Sequence, residues 1–468
     1  MSQQIPPVII GAGPAGIRAA QALVAAGLKP IVIDEGLKWG GQIYRQAPVG
    51  FQRSARELYG FDAEKSSALF KVANDLTGKI DYRPQSLVWN LEKDKLAILQ
   101  NGVSTLLPWS RLIVATGATD RIFPFPGWTL PGVYGMGAAQ VALKFQGCAI
   151  GQQVIFAGTG PLLYLVAYQY AKAGGKVVAV LDTAAFANQV RAIPGLMHQP
   201  KQFARGLYYL GWLKAQGIPI RHGVSILRAN GHHRVEQLLV QTRDGSEQRY
   251  DCDAVGFGYA VRSETQLADL LGCEFAFDAL SRCYLPVKDA LGRSSVQGVY
   301  LAGDGAGIMG AEAAEMSGEL AALAMLSDMG GSHDRLDAAQ TRIPTLTDKL
   351  KKISRFRQGL EQAFPAPANW MRQLTEDTII CRCEEITVSD IREAVSTNDI
   401  REINRLKAMS RSGMGRCQGR MCGQATAELL AQMTNQSLAS VGRLRGQAPV
   451  KPVPVSVLAN AAKMTEKE

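Results

Sequence analysis

The sequence predicts an α/β fold in which two dinucleotide-binding units share one chain, the second inserted into the first, with a small cysteine-bearing domain after them. Three observations carry this prediction. The order strand, glycine turn, helix, strand occurs twice, from PPVIIGAGPAG to KPIVIDEG and from QQVIFAGTGPLL to KVVAVLD, and each is a mononucleotide-binding unit. A further glycine turn, in GVYLAGDGAGIMGAEAAEMSG, comes long after the second unit has closed. Four of the eight cysteines, Cys381, Cys383, Cys417 and Cys422, lie together late in the chain.

Composition agrees with that class. At roughly 150 residues per domain, 468 residues make about three domains. Apolar residues are 47% and charged residues 20%, which excludes disordered and collagen-like chains. Glycine supplies 48 of 468 residues, above the usual ~7%, as several close backbone approaches require. No apolar run reaches the ~18 residues of a membrane-spanning helix. The opening MSQQIPPVII has neither the charged nor the apolar region of a secretory signal, so a cytoplasmic protein is expected, with peripheral contact at the inner membrane left open. The net charge of +10 is spread along the chain. Its densest basic stretch, Lys349, Lys351, Lys352, Arg355 and Arg357 among Leu346, Leu350, Ile353 and Leu360, reads as the solvated face of a helix. No nucleic-acid partner is expected.

In the first unit Gly11 permits the tight turn, Gly13 lets a diphosphate reach the backbone, and Gly16 lets helix pack on strand. Pro14 and Ala15 open the helix, whose N-terminus holds the diphosphate. An acid should follow about 20 residues on to bind ribose hydroxyls; Asp34 stands 23 after Gly11, with Glu35 beside it. Gly40, Gly41 and Gln42 come next, then Ala115-Thr116-Gly117 and, far along, Gly303-Asp304. The proline-rich connector at Pro124, Pro126 and Pro131 marks the exit from this domain, and DAVGFG at 253–258 reads as the last strand of the inserted one. The expected organisation is therefore a first domain of residues 1–124 and 261–345, an inserted nucleotide-binding domain at 125–260, a helical linker at 346–376, a cysteine domain at 377–440 and an extended tail at 441–468.

In the second unit Gly158 and Gly160 keep the pattern, but Leu163 replaces the third glycine, and a bulkier residue alters how closely helix and strand approach. Asp182, 24 after Gly158, could hold a ribose hydroxyl. NAD(P), another adenine nucleotide such as ATP, and an empty structural unit all stay open. Neither unit contains a Cys-x-x-Cys pair, and Cys148 stands alone. Cys381-x-Cys383, 33 residues, then Cys417-x4-Cys422 read as paired ligands of a four-thiolate site. Gly413, Gly415, Gly419 and Gly423 leave N–H groups free for sulfur. Arg382, Arg416 and Arg420 offset thiolate charge, and a helix beginning near Ala425 adds its positive end. A structural zinc is the other occupant.

The glycine loop with Gly41-Gln42, Ala115-Thr116-Gly117 and Gly303-Asp304 resembles the glutathione-reductase and thioredoxin-reductase type of two-dinucleotide flavoprotein over about residues 5–325. That likeness implies FAD in the first unit and puts Asp304 on the ribityl chain. The cysteine layout resembles the bacterioferritin-associated-ferredoxin-like domains that hold [2Fe-2S], apart from its four residues rather than two within the last pair. With that departure, residues 378–423 and GGQIYR at 40–45 resemble the flavoprotein alpha subunits of bacterial opine oxidases, D-hydroxyproline dehydrogenases, hydrogen cyanide synthase and archaeal proline dehydrogenases, over all but the last ~25 residues. The resemblance implies a beta subunit carrying its own flavin and oxidising an amine, often with a small ferredoxin-like gamma subunit. His198, His222, His232, His233 and His333 lie outside every motif and offer no substrate base, so specificity is expected in the partner. A self-sufficient NAD(P)H-dependent ferredoxin-type reductase and a nucleotide-sensing scaffold with zinc are the alternatives.

Overall fold

Short runs of β-branched residues with no polar alternation belong at the centre of a parallel sheet, covered on both faces. In the computed structural model, which describes residues 5–48, 50–51, 53–92, 94–330 and 333–459, VII and IVI do so. They form β1 (Val8–Ile10) and β2 (Ile31–Ile33), joined by helix α1 (Pro14–Ala25). Strands β3 (Asp81–Arg83) and β4 (Leu112–Val114) flank them, Val8 pairing with both Ile31 and Leu112.

The chain then builds a second parallel sheet. Its strands are β5 (Val133–Gly135), β6 (Gln153–Thr159), β7 (Lys176–Asp182), β8 (Ile220–His222) and β9 (Ala254–Tyr259), ordered β8-β7-β6-β9-β5, with α2 (Pro161–Lys172) between β6 and β7. β10 (Val299–Leu301) returns to the first sheet beside β4 and leads into α3 (Ala311–Asp328). Helices α1 and α3 lie against each other because Gly318 has no side chain: a Cβ there would meet the Ala15 carbonyl oxygen at 2.0 Å.

Helix α4 (His333–Ala363) runs straight across the boundary expected at 345, with Pro344 inside it. Its Phe356, Leu360 and Ala363 close a small core with Ala192 and Leu196 of the inserted region.

The cysteine domain is a hairpin, β11 (Ile379–Cys381) and β12 (Ile386–Thr387), and three helices, α5 (Val388–Asn398), α6 (Ile403–Ser410) and α7 (Gly423–Met433). Thr387 and Asp390 form a reciprocal capping box at the start of α5. Ile380, Ile391, Leu406 and Leu430 make the core. The domain is seated by tryptophans: Trp128 Nε1 donates to the Ile379 carbonyl at 2.6 Å, and Trp370, stacked on Phe123, donates to Glu428 at 2.9 Å.

Beyond 441 the chain straps the domain down. Asp269 receives Arg443, Arg445 and the Gly446 N–H. Val450 then enters the first domain's core beside Ile33, Val88 and Leu96, its N–H on the Trp89 carbonyl at 3.0 Å, and Lys451 pairs with Glu35. Residues 460–468 of the expected tail lie outside the described residues.

Candidate functional site

The first glycine loop is squeezed between β1 and β4. A Cβ on Gly11, whose φ is +106°, would meet the Ala115 carbonyl oxygen at 2.2 Å, and one on Gly16 would meet the Gly11 carbonyl oxygen at 1.8 Å. Gly13 differs, with 3.7 Å to its nearest neighbour, Gly41 Cα, so its missing side chain leaves room rather than relieving contact. Gly13 caps α1, Pro14 follows as its first residue, and no side chain or acid satisfies the first-turn N–H groups. An uncapped N-terminus of this kind is suited to an anion such as phosphate.

Asp34 takes the Ala12 N–H at 2.5 Å and the Gly36 N–H at 2.6 Å. Burial pushes its carboxyl above the ordinary value, against the pull of those donors. The Tyr82 ring stacks on Trp39 at 3.6 Å, while its hydroxyl is buried near Asp34 with no partner. Glu35 turns outward to Lys451. Gly41, at φ +61°, rests against Gly13, and Gln42 is exposed, accepting a hydrogen bond from Arg45 at 2.7 Å. Asp304 Oδ1 accepts the Met309 and Gly310 N–H groups at 2.8 and 2.9 Å, and the Gly303 N–H donates to Ser317 Oγ. Gly310 in turn caps α3 without a side-chain partner. Two open helix N-termini, a clamped carboxylate, an orphan hydroxyl and a cradle that any Cβ at Gly11 or Gly16 would destroy fit a bound dinucleotide.

In the second unit Gly158 and Gly160 both hold positive φ, whereas Gly13 of the first sits at −77°, and a Cβ on Gly158 would meet the Gly258 carbonyl oxygen at 1.9 Å. Leu163 is buried, and Asp182 has no exposed surface. It accepts the Tyr164 hydroxyl at 2.5 Å, Gln189 Nε2 at 3.0 Å and the Ala184 N–H at 2.8 Å. His222, outside every sequence motif, stands 3.8 Å from it.

The four cysteines meet. Cys422 donates its thiol to Cys381 and Cys417, and Cys383 donates to Cys417. The Cys422 hydrogen bond lowers Cys381 to about 6 against its burial, helped by the Gly413 and Glu384 N–H groups. The same thiol lowers Cys417 to about 5, helped by the N–H groups of Met421 and Gly419 and by Cys383. The two donors move the other way, Cys422 well above an ordinary thiol because its proton is shared with both neighbours, and Cys383 upward through burial. Among the described residues no three His, Cys, Asp or Glu side chains close on one point in the manner of a single-ion site.

Details around the thiols depart from expectation. Helix α7 starts at Gly423, with Cys422 itself as cap, rather than near Ala425. Gly423 donates to the Gly419 carbonyl instead of to sulfur, and Gly415 serves close approach, since its Cβ would lie 2.4 Å from Cys383 Cβ. Arg420 is committed to Glu264 at 2.6 Å and to the Val450 carbonyl at 2.6 Å. Glu264 belongs to no motif, yet its carbonyl accepts Thr116 Oγ1 at 2.6 Å. One residue thus touches both the flavin-type Ala-Thr-Gly segment and the cysteine loop.

Against this geometry, a family model described as pyridine nucleotide-disulphide oxidoreductase matches residues 6–318, and the chain belongs to that family, as an FAD-dependent oxidoreductase. A model described as sarcosine oxidase A3 domain matches residues 375–462, which contain all four clustered cysteines. More narrowly, the chain belongs with the opine oxidase subunits: one from Rhizobium meliloti is 38% identical, over 97% of this chain and 86% of the relative. Hydrogen cyanide synthase subunit HcnB of Pseudomonas aeruginosa is 35% identical, over 97% of this chain and 98% of its own. Among solved structures, L-proline dehydrogenase from P. horikoshii matches with a TM-score of 0.70 at 21% identity, over 97% of this chain and 79% of that one. T. acidophilum thioredoxin reductase matches with 0.50 at 20% identity, over 69% and 97%. At those identities the likeness is one of fold. No helix of the described residues is long and apolar enough to cross a membrane.

Proposed function

We propose that this chain is the electron-transferring component of a heteromeric FAD-dependent dehydrogenase or oxidase acting on the C–N bond of a secondary amine, imino acid or amino acid of the opine, hydroxyproline, proline or glycine kind. Bound flavin supplies the hydride-accepting chemistry for a C–N bond, and a [2Fe-2S] cluster supplies one-electron transfer. Gly11, Gly13, Pro14, Ala15 and Gly16 would hold the diphosphate, Asp34 the ribose, and Gly41, Ala115, Thr116, Gly117, Gly303 and Asp304 the flavin half. Cys381, Cys383, Cys417 and Cys422 would hold the cluster, their negative charge stabilised by the N–H groups of Gly413, Gly419, Glu384 and Met421.

The observation that carries this reading is Glu264, which joins Thr116 to Arg420 of the cysteine loop. A scaffold needing only a structural metal has no use for that junction. Substrate selection is assigned to a partner subunit carrying its own flavin, with a small ferredoxin-like third subunit. The relatives' names as subunits support this.

The test is reconstitution of the pure chain with FAD, iron and sulfide. The expected result is one [2Fe-2S] EPR signal per flavin after reduction, lost in Cys381→Ser. Stoichiometric zinc without cluster absorbance overturns the reading.

A further inference from the structure

We propose that the ribose position of the second dinucleotide unit is closed from inside by Tyr164, so that this unit takes neither a nicotinamide dinucleotide nor ATP, and reducing equivalents do not enter the chain from NAD(P)H. The two units, laid side by side, supply the argument. Gly11, Gly13, Gly16 and Ile17 of the first correspond to Gly158, Gly160, Leu163 and Tyr164 of the second. In the first, the residue after the third glycine is an apolar Ile17 that reaches nothing polar, and the ribose carboxylate, Asp34, binds only main-chain N–H groups of its own loops. It stays partly open, with an unpartnered tyrosine hydroxyl nearby.

In the second, Tyr164 carries a hydroxyl to the same carboxylate. Asp182 has three donors, Tyr164, Gln189 and Ala184, and no exposed surface. A ribose diol would have to displace the Tyr164 hydroxyl from its 2.5 Å bond to a carboxylate that Gln189 and the Ala184 N–H also hold, leaving the hydroxyl only the longer contacts with Gln189 at 3.3 Å and His222 at 3.4 Å, a cost that falls on the ligand. The ring cannot swing aside freely, because Phe364 packs against it at 6.1 Å and His222 at 6.4 Å. Leu163 meanwhile fills the place where the third glycine would let helix α2 close on the strand. The fold has kept the phosphate-type turn and used its ligand carboxylate as an internal anchor.

The test uses the full FAD-loaded chain, whose first unit is occupied. NADH, NADPH and ATP are titrated separately by calorimetry, and NADH and NADPH are mixed anaerobically with it while flavin absorbance is followed. The expected result is no saturable binding below ~1 mM, where binding is worth about 4 kcal/mol, and no bleaching. Tyr164→Ile, which copies the first unit, should bring the ATP or NADH dissociation constant below that limit, and adding Asp182→Asn should abolish the gain. Tyr164→Phe keeps the ring and removes the hydroxyl, with its bond to Asp182 and its longer contacts with Gln189 and His222, and gives the same direction should the isoleucine variant fail to fold. Submillimolar binding by the natural chain overturns the inference. So does a folded Tyr164→Ile or Tyr164→Phe chain that binds no more tightly.

Discussion

Removing Arg420 should loosen the cysteine domain by an amount the structure allows to be worked out. Arg420 and Glu264 have side chains only 11% and 12% exposed and meet at 2.6 Å. Deleting one partner of a largely buried pair leaves the other charge stranded, at about 3–5 kcal/mol, and the Val450 carbonyl loses its donor as well. Cys422 is 1% exposed, so a thiol reagent reaches it only when the domain lifts. At about 1.4 kcal/mol per tenfold, Arg420→Ala should accelerate labelling of Cys422 in cluster-free protein by roughly 10²-fold to a few thousandfold. Exposed Cys383 serves as the reference whose rate stays unchanged. Combining Arg420→Ala with Glu264→Gln removes the stranded charge and should recover at least about tenfold. Labelling within threefold of the natural chain, or a double variant as fast as the single one, would refute the claim that this pair joins the flavin-type segment to the cysteine loop.

Three other outcomes are expected. Gly13→Ala should fold with an unchanged melting temperature, since the added methyl meets nothing closer than 3.7 Å, yet its flavin-to-protein absorbance ratio should drop as the diphosphate loses its approach. Gly16→Ala should lose both flavin and stability in thermal melts, because its methyl would lie 1.8 Å from a backbone oxygen that cannot yield. Burial pushes the Asp269 carboxyl up, but Arg443, the Gly446 N–H and Arg445 outweigh it and hold it below the ordinary value. Its grip on the strap is therefore complete above the unfolded value of about 3.9 and fades as pH falls through the lower folded one. Limited acid proteolysis near Arg445 should begin there, and at all pH values in Asp269→Asn.

The dinucleotide turns were legible because they are local: a strand, three small residues at fixed spacing and a helix need no distant partner to be recognised. Gly11, Gly16 and Asp34 all belong to one such turn. What escaped is made of long-range pairs. Nothing near Glu264 in sequence announces that it faces Arg420, 156 positions away. The role of Asp182 depends on a hydroxyl 18 residues earlier that the glycine pattern does not score. The boundary expected at 345 falls inside α4, whose later turns pack on the inserted region far away in sequence. The prolines after 441 read as an extended tail without an assigned role, whereas Val450 and Lys451 find partners in the first domain.

That last attachment bears on how the polypeptide is made. Val8 leaves the ribosome hundreds of residues before Val450, and at about 5–20 residues per second the interval is roughly 20–90 s. Throughout that time the hydrophobic recess awaiting Val450 is bare. A nascent chain stalled before Val450 would therefore present an unfinished first-domain core to quality control.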